Sequence, residues 1–200
     1  MYTFLDFEFN QAFDFNDEPV EVNPECRFEI IQIGAVRMDE NYNIGDEISI
    51  KIRPTIYPRM HPYVTKITGI TIDELMDKPT FPQAYKMFRE FIGSDRLLCT
   101  WGTSDVRALY RNMVYHKVTQ PPVRIEYIDV QSIATKFLKY SHGGNIGLKN
   151  AVEALELPVD ERFHDACCDA LYTAKVFKKI NPQKPEIKIF NSAHLKPVKK

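Results

Sequence analysis

Two acidic residues near the start of the chain, Asp6 and Glu8, have the type and spacing of metal ligands. They lie in the aromatic and apolar run 2–9, whose composition predicts a β-strand. Because side chains two positions apart on a strand share a face, both carboxylates would point the same way. Two anions in a poorly hydrated place repel each other and lose hydration, and a bound Mg²⁺ or Mn²⁺ ion relieves both effects. The alternative is an edge strand that carries two solvated acids.

A third candidate ligand, Asp169, lies in a predicted helix near the other end of the sequence. Small side chains recur every four residues along this helix, at Ala166, Ala170 and Ala174. Such a stripe lets a helix lie close against a sheet. His164, five positions before Asp169, can take a proton near neutral pH, as a hydrolytic site requires. The alternative makes Asp165 an N-terminal cap and His164 a surface loop residue.

A middle acid, Asp105, follows the short apolar run 96–101 and opens a helical run over 104–116. These runs predict a buried strand and then a helix, with Asp105 at their junction. Binding sites commonly gather at the carboxyl ends of sheet strands, so the position favours a functional acid. Capping of the helix by Thr103, Ser104 or Asp105 itself remains the alternative.

The wider pattern predicts one α/β domain over residues 1–180, followed by a basic, poorly ordered tail over 181–200. Strands are expected near 2–8, 28–38, 46–53, 96–101 and 124–128, with the first three forming a meander. Helices are expected near 81–92, 104–116, 129–139, 147–156 and 164–180. Neither an internal repeat nor a second domain is expected.

The order of these motifs resembles the DEDD-type 3′-to-5′ exonucleases, the proofreading-subunit and ribonuclease T group. Asp-x-Glu on the first strand, a middle Asp opening a helix, and His-x-x-x-x-Asp near the end match over residues 2–180. The spacing from His164 to Asp169 indicates the histidine branch, DEDDh, because the other branch has a tyrosine where Asp165 stands here. The resemblance implies a ribonuclease H-like fold with a central mixed five-stranded sheet flanked by helices.

The resemblance also implies roles for individual residues. Four acids would bind two Mg²⁺ or Mn²⁺ ions: Asp6, Glu8, Asp105 and Asp169. His164 would be the general base that acts on water, Glu8 would belong to the catalytic group as well, and Phe7 and Ile67 would contact the substrate. The substrate would be the 3′ end of single-stranded RNA or short DNA, and the products nucleoside 5′-monophosphates. Two cations can activate water and stabilise the leaving oxygen of a phosphodiester.

Within this family, segments 61–71 and 81–84 resemble the histone-mRNA and small-RNA 3′ exonucleases, and a bacterial group of sporulation-pathway inhibitors of similar length. One departure concerns the aromatic residue that directly precedes the middle Asp in the histone-mRNA group and stacks on the terminal base. Ser104 occupies that position here, while Trp101 lies three residues earlier. Base stacking contributes roughly 1–3 kcal/mol, so its loss would alter substrate preference more than cleavage.

Two other functions stay open. The resemblance to the sporulation inhibitors allows a regulatory binding protein that uses the exonuclease fold to contact a partner protein. The presence of all five site residues speaks against a purely scaffolding role. An internally cutting nuclease of the ribonuclease H type would share the fold and metals, but the histidine and the Thr-Gly-Ile segment, residues 68–70, argue against it.

Composition agrees with a compact enzyme domain. The hydrophobic fraction of 44% can fill a core for 200 residues, and no apolar run reaches the length of a membrane span. The four cysteines show no Cys-x-x-Cys pair, so neither zinc nor a disulfide framework is expected, and a reducing cytoplasm is the expected compartment. The charges are unevenly distributed along the chain. Residues 1–50 hold twelve acids against two arginines, whereas residues 51–200 are basic on balance. The acidic stretch 14–25 is expected to be a solvated insertion, and the basic part could attract a polyanion.

Overall fold

The structure is a computed structural model, which describes residues 1–14, 21–93, 97–120, 123–141 and 143–194. Three long strands open the chain: β1 (Tyr2–Gln11), β2 (Phe28–Met38) and β3 (Ile44–Lys51). Next come the helices α1 (Pro62–Thr68), α2 (Ile72–Leu75) and α3 (Phe81–Ile92). The second half runs β4 (Leu98–Thr100), α4 (Ser104–Tyr115), β5 (Arg124–Asp129), α5 (Val130–Phe137), α6 (Leu148–Ala154), α7 (Ala166–Ile180) and β6 (Lys188–Asn191). A short 3₁₀ turn over Ser192–His194 follows β6.

The strands form one mixed sheet in the order β3-β2-β1-β4-β5-β6. The first three strands pair antiparallel as the predicted meander, and β4 and β5 then add in parallel to β1. The strand β6 pairs antiparallel with β5 at the edge. The ribonuclease H-like fold class is confirmed, but the sheet has six strands rather than the five expected.

The sixth strand comes from the segment expected to be a poorly ordered tail. Lys188 opens β6, and its ammonium lies 2.8 Å from the buried carboxylate of Asp129 on the next strand. Ser192 then exchanges two hydrogen bonds with the backbone of Val123, at 2.8 and 3.0 Å. These contacts bring residues 188–192 into the domain, whereas the lysines at the end of the chain, Lys196, Lys199 and Lys200, lie outside the described residues.

Helices cover both faces of the sheet and enclose separate cores. On one face, α5, α6 and α7 pack over side chains such as Phe4, Val36 and Cys99. On the other face, α3 and α4 pack over side chains such as Leu5 and Phe7. Alternate residues of β1 therefore serve opposite cores, as expected for a strand covered on both sides. The centre of the sheet is therefore buried on both faces.

Most predicted elements are confirmed, and the differences have local causes. The helices α1 and α2 were not expected, because helices this short carry little periodic pattern. Each is held by a cap. His61 Nδ1 accepts a hydrogen bond from the backbone N–H of Tyr63 at the start of α1, and the Thr71 side chain accepts one from the backbone N–H of Glu74 at the start of α2. Of the strand expected over 96–101, the described residues form β4 over Leu98–Thr100. Arg96 lies outside the described residues, and so do residues 15–20 of the acidic stretch. Among the described residues, no helix combines the length and apolarity needed to cross a membrane.

Candidate active site

The strand β1 supplies two of the four predicted ligands. It lies in the middle of the sheet, between β2 and β4. Asp6 is half-buried and Glu8 is buried, and both project toward the α7 face. The pairing register between β1 and β2 shifts between Glu8 and Phe9, which marks a bulge directly after the second acid. Bulges often occur beside active sites, where they redirect side chains or end regular pairing.

The helix α7 reaches β1 because its first turn lies almost directly on the sheet. Opposite Asp6 on β2 stands Gly34, where a Cβ atom would fall 2.0 Å from the carbonyl carbon of Ala166. Only glycine permits this approach. The predicted stripe of small residues faces the sheet and is fully buried: Ala166, Ala170 and Ala174. The contact carries Asp169, in the first turn of α7, to the side of the β1 acids.

The third element, α4, brings Asp105. This residue lies in the first turn of α4 and is 5% exposed, and the cap residue Thr103 makes no side-chain hydrogen bond to the helix. The alternative in which Asp105 simply caps α4 is not what the structure shows, since Asp105 lies inside the helix. Its burial beside other acids is costly without a cation.

The assembled carboxylates have the geometry of a cation site. One ligand oxygen from each of Asp6, Glu8 and Asp169 lies within 4.8 Å of the others. The oxygen Oδ1 of Asp169 is buried and has no hydrogen-bond partner among the described residues. A buried charged oxygen without a partner is expensive, and hard oxygen ligands suit a divalent cation such as Mg²⁺ or Mn²⁺. The site therefore fits the predicted metal, with Asp105 as an adjacent charge.

Burial and mutual repulsion disturb the titration of all four acids. Burial, followed by the charges of Asp169 and its neighbours, raises the pKa of Glu8 to about 8. Burial likewise raises the pKa of Asp169 to about 6, although a hydrogen bond from the His164 backbone works in the opposite direction. Burial and then the charge of Asp105 raise the pKa of Asp6 well above its ordinary value, and burial raises that of Asp105 too. Positive charge placed among these acids would lower their pKa values and favour the ionised carboxylates.

Asp165, four positions before Asp169, behaves as a structural acid. Burial alone would raise its pKa, but hydrogen bonds from Gln32 and from the backbone N–H groups of Cys168 and Cys167 leave it lowered. Those two N–H groups lie 3.2 and 3.0 Å from Oδ1. The N-terminal capping role considered for Asp165 is therefore confirmed, and it fixes the start of α7.

The predicted general base, His164, lies in the loop that leads into α7. Its backbone adopts the left-handed region at φ 66°, and its N–H donates to Oδ2 of Asp169 at 3.1 Å. A non-glycine residue in this region costs of order 1–3 kcal/mol and is concentrated at functional sites. The His164 side chain is exposed, at the rim of the carboxylates. A surface position was one feature of the alternative without a catalytic role, but the bond to Asp169 ties His164 to the site.

The two predicted substrate contacts have different surroundings. The Phe7 side chain is 3% exposed and packs in the core on the opposite face of the sheet from Asp6 and Glu8. Any contact of Phe7 with substrate would have to come from its backbone. Ile67 is half-buried at the end of α1, and its carbonyl accepts a 2.8 Å hydrogen bond from Arg162 in the loop before α7. The structure thus links Ile67 to the loop that precedes α7, whereas the Phe7 side chain lies in the opposite core.

Sequence reasoning missed two residues that hold the site together. The Gln32 side chain is 1% exposed and donates to Ser49 at 3.0 Å and to Asp165 at 2.9 Å. It connects the sheet to the start of α7 across more than a hundred residues of sequence. Arg162 connects the same loop to α1. A buried amide in a predicted central strand was a signal for Gln32, because such a group needs partners; Arg162 gave no such signal.

A ribonuclease H-like sheet with two acids on its central strand defines the general class, and family comparison makes it specific. The exonuclease family RNase_T matches residues 4–177, and the chain belongs to this family. DNA polymerase III subunit epsilon of Buchnera aphidicola subsp. Baizongia pistaciae is 29% identical over 185 residues, covering 87% of this chain and 72% of that protein. The expected enzyme class, a 3′-to-5′ exonuclease, is confirmed at the level of the family.

Solved structures show the same fold. The nuclease domain of 3′hExo, described as a DEDDh family member bound to rAMP, superimposes with a TM-score of 0.77 at 22% identity, covering 94% of this chain and 95% of that one. A 3′-exonuclease in 3′-end-specific recognition of the histone mRNA stem-loop gives 0.76 at 20% identity, covering 99% and 92%. Exonuclease X in complex with 5′ overhanging duplex DNA gives 0.60 at 16% identity, covering 90% of each chain. The similarity to sporulation inhibitors stays a prediction.

Proposed function

We propose that this protein is a metal-dependent 3′-to-5′ exonuclease that shortens single-stranded RNA or short DNA from the 3′ end and releases nucleoside 5′-monophosphates. The observation that carries the proposal is the buried carboxylate centre, in which Oδ1 of Asp169 has no hydrogen-bond partner among the described residues. A centre of like charges is unfavourable for a merely structural protein, whereas a hydrolase that holds cations requires one.

Four carboxylates would hold two Mg²⁺ or Mn²⁺ ions: Asp6, Glu8, Asp105 and Asp169. Bound cations would lower the pKa of a water molecule and neutralise charge that develops on the phosphoryl and leaving oxygens. The protein holds these carboxylates on three elements, β1, α4 and α7, whose backbones are fixed by the sheet. Such preorganised groups need little rearrangement during the reaction.

His164 would accept the proton of the attacking water. The bond from its backbone N–H to Asp169 keeps the imidazole at the rim, where substrate and solvent can reach it. Glu8 is the second residue proposed to act in catalysis, as a carboxylate that orients the same water. Proton transfer by a positioned group contributes typically 10²–10⁴-fold in rate, and this is the loss expected for His164→Ala.

The proposed substrate follows from the relatives as well as from the site. One structural neighbour was solved with rAMP and another with duplex DNA, so both sugars occur on this fold. We propose that the terminal nucleotide lies on the α1 side of the carboxylates, near Ile67, with the backbone around Phe7 below it. Location in the cytoplasm also stays a prediction. The four cysteines, all of which lie among the described residues, are free thiols, which agrees with a reducing compartment.

The test is a time course on 5′-labelled single-stranded RNA and DNA with Mg²⁺ or Mn²⁺. Wild type should give a descending ladder that requires the metal, while a circular strand should stay intact. Asp6→Asn should abolish the ladder. The matched control Asp46→Asn removes a carboxylate that is 82% exposed on β3 and should cleave as wild type does.

The same experiment separates the alternative function. If folded wild type binds the metal but cleaves neither strand, the exonuclease proposal is overturned and the regulatory binding role takes its place. Cleavage of the circle would indicate an internally cutting nuclease. Unchanged turnover in His164→Ala would remove that residue from the mechanism.

A further inference from the structure

A cleft of about 570 Å³ opens on the α4 face of the sheet, between α4 and the adjoining parts of β1 and β2. We call it the arginine cleft and define it by six residues that line it: Phe9, Arg27, Phe28, Ser104, Arg107 and Arg111. Two of its lining residues are chain neighbours of the proposed ligands, since Ser104 directly precedes Asp105 and Phe9 directly follows Glu8. None of the proposed metal ligands lines the cleft, and neither does His164, so the cleft lies next to the site described above and is distinct from it.

The α4 side of the cleft is a single helix face. Ser104, Arg107, Ala108 and Arg111 are spaced by three and four positions, which places them one above another along the helix. The stripe runs about 10 Å from the catalytic end, at 1.5 Å per residue. Two arginines four positions apart repel each other and weaken a helix slightly. Folding therefore gives no reason for this pair, whereas an anionic ligand would.

The cationic groups of the cleft are available to a ligand. Within the part of the chain that the structure describes, the guanidinium groups of Arg27, Arg107 and Arg111 make no hydrogen bond or ion pair. The lining includes one acid, the exposed Glu25, so positive charge predominates. Arginine binds phosphate oxygens through two parallel N–H groups, which makes a phosphodiester a fitting partner.

The other wall of the cleft is aromatic. Phe28 is 47% exposed at the start of β2, and its ring centroid lies 6.1 Å from that of Phe9. Asn112 of α4 fixes this wall, donating to the carbonyls of Phe28 and Ala108 at 2.9 Å and accepting from the backbone N–H of Ile30 at 3.1 Å. A large exposed ring held rigidly beside arginines suits stacking of a nucleobase.

We propose that the arginine cleft binds the nucleotides on the 5′ side of the scissile phosphodiester. This inference rests on the proposed exonuclease function and names where the retained strand runs. The terminal nucleotide is placed on the α1 side, so the rest of the strand must leave across the carboxylates toward Asp105. There the cleft adjoins the site, with arginines for phosphates and Phe28 for a base. Phe28 would stack on a base of the retained strand, which is a different base from the terminal one discussed for the position of Ser104.

The test measures binding rather than cleavage. A 5′-fluorescent single strand, protected by phosphorothioate linkages at its 3′ end, is titrated by anisotropy at several salt concentrations. Arg107→Gln/Arg111→Gln should weaken binding about tenfold or more. Because each lost phosphate contact removes about 0.7 from the slope of log affinity against log salt, the double variant should lower that slope by about 1.4. Arg107→Lys/Arg111→Lys should retain most of the salt slope.

The matched control is Arg124→Gln, which removes an exposed arginine at the opposite, amino end of the parallel strands. It should leave both affinity and salt slope as in wild type. Phe28→Ala should weaken binding by roughly five- to a hundredfold without changing the salt slope. Phe28→Trp should bind about as tightly as wild type, because an aromatic ring is kept. Equal behaviour of the cleft variants and the Arg124 control would overturn the inference.

The readout distinguishes this inference from the proposed function. If wild type cleaves no strand but the cleft variants still lose affinity and salt slope, the cleft is a nucleic-acid site and only the catalytic proposal fails. If wild type cleaves strands while the cleft variants bind normally, the catalytic proposal stands and the cleft is not the path of the strand.

Discussion

The carboxylate of Glu29 and the carboxylates of the candidate site are close to one another in the sheet, but their surroundings differ. Glu29, on β2, is 2% exposed and accepts hydrogen bonds from three consecutive backbone N–H groups, those of Thr55, Ile56 and Tyr57. The active-site acids face one another, and Oδ1 of Asp169 has no such partner among the described residues. Glu29 is satisfied by hydrogen bonds from the fold, whereas the acids of the candidate site face one another and fit the cation that we propose.

The pKa values reflect this difference. Burial raises the pKa of both Glu29 and Glu8, but three backbone N–H groups counter the effect at Glu29. At Glu8 the neighbouring carboxylates add to burial, and the pKa reaches about 8. The hydrogen bonds of Glu29 indicate a structural role, whereas the neighbouring carboxylates of Glu8 favour cation binding. Residue type and burial alone do not separate the two.

Replacing Asp169 with Asn is expected to have the largest effect. Asn keeps the shape and can still accept the bond from the His164 backbone, but it cannot bring charge to a cation. Turnover should fall by about 10³-fold, as when an electrostatic stabiliser of the transition state is lost. In EDTA the variant should unfold at a higher temperature than wild type, because one repelling charge is gone. Steady-state cleavage and thermal unfolding check both, with Asp46→Asn as control.

Turnover within tenfold of wild type would contradict the metal role of Asp169. A lower unfolding temperature of this variant in EDTA would mean that Asp169 stabilises the fold as Glu29 does. Asp169 and Glu29 would then both be acids that stabilise the fold without a cation.

Glu29→Ala should have the reverse signature. The change leaves three buried N–H groups of the 55–57 turn without an acceptor, at about 1–3 kcal/mol each if none rearranges. We expect the free energy of unfolding to fall by about 3 kcal/mol, equally with and without Mg²⁺. Urea denaturation measures this loss, while activity well below the unfolding midpoint should stay close to wild type. A loss that depended on Mg²⁺ would place Glu29 in the metal site.

The elements that carry the four acids were predicted from the sequence because strand and helix patterns are local. Strand alternation puts Asp6 and Glu8 on one face, and the same rule puts Phe7 in the opposite core, which the resemblance alone did not convey. Asp169 was predicted from its helix and its distance from His164 along the chain. The partners of Gln32, Gly34 and Glu29 could not be predicted in this way, because each contact joins segments far apart in sequence.

Short elements escaped prediction for a related reason. The strand β6 has four residues and depends on the edge of β5, and α2 has four residues and depends on its cap. Neither carries enough periodic pattern to be recognised without the fold around it. Long elements such as β2 and α7 carry their own signal, and their bounds were predicted within a few residues.

Gly34→Ala should displace the active-site acids while leaving Glu29 and its turn in place. The added methyl group would overlap the backbone of Ala166, so the first turn of α7 has to move away from β1. A misplacement of about 1 Å can cost 10²-fold in rate, and overpacking costs about 1–3 kcal/mol in stability. Turnover and urea denaturation measure the two. Gly45→Ala is the matched control, since a Cβ there would lie 3.9 Å from its nearest neighbour.

Equal activity of the two alanine variants would show that contact between α7 and the sheet does not position Asp169. Loss of stability without loss of turnover would lead to the same conclusion, because the helix would then contribute packing without aligning the carboxylate.

The smallest expected effect is the pH dependence of the metal-free protein. The folded-state pKa values of Glu8, about 8, and Asp169, about 6, lie above those of an unfolded chain, about 4. Above pH 4 the folded protein therefore holds more protons than the unfolded chain, and stability falls as pH rises. In EDTA we expect a loss of about 2 kcal/mol between pH 5.5 and 6.5 from these two groups. Saturating Mg²⁺ should remove that loss, because the cation replaces the protons, and Asp46→Asn, which removes an exposed carboxylate outside the site, should leave it in place. A metal-free stability that rises over this range would mean that the acids are held ionised by the fold itself, and the contrast with Glu29 would disappear.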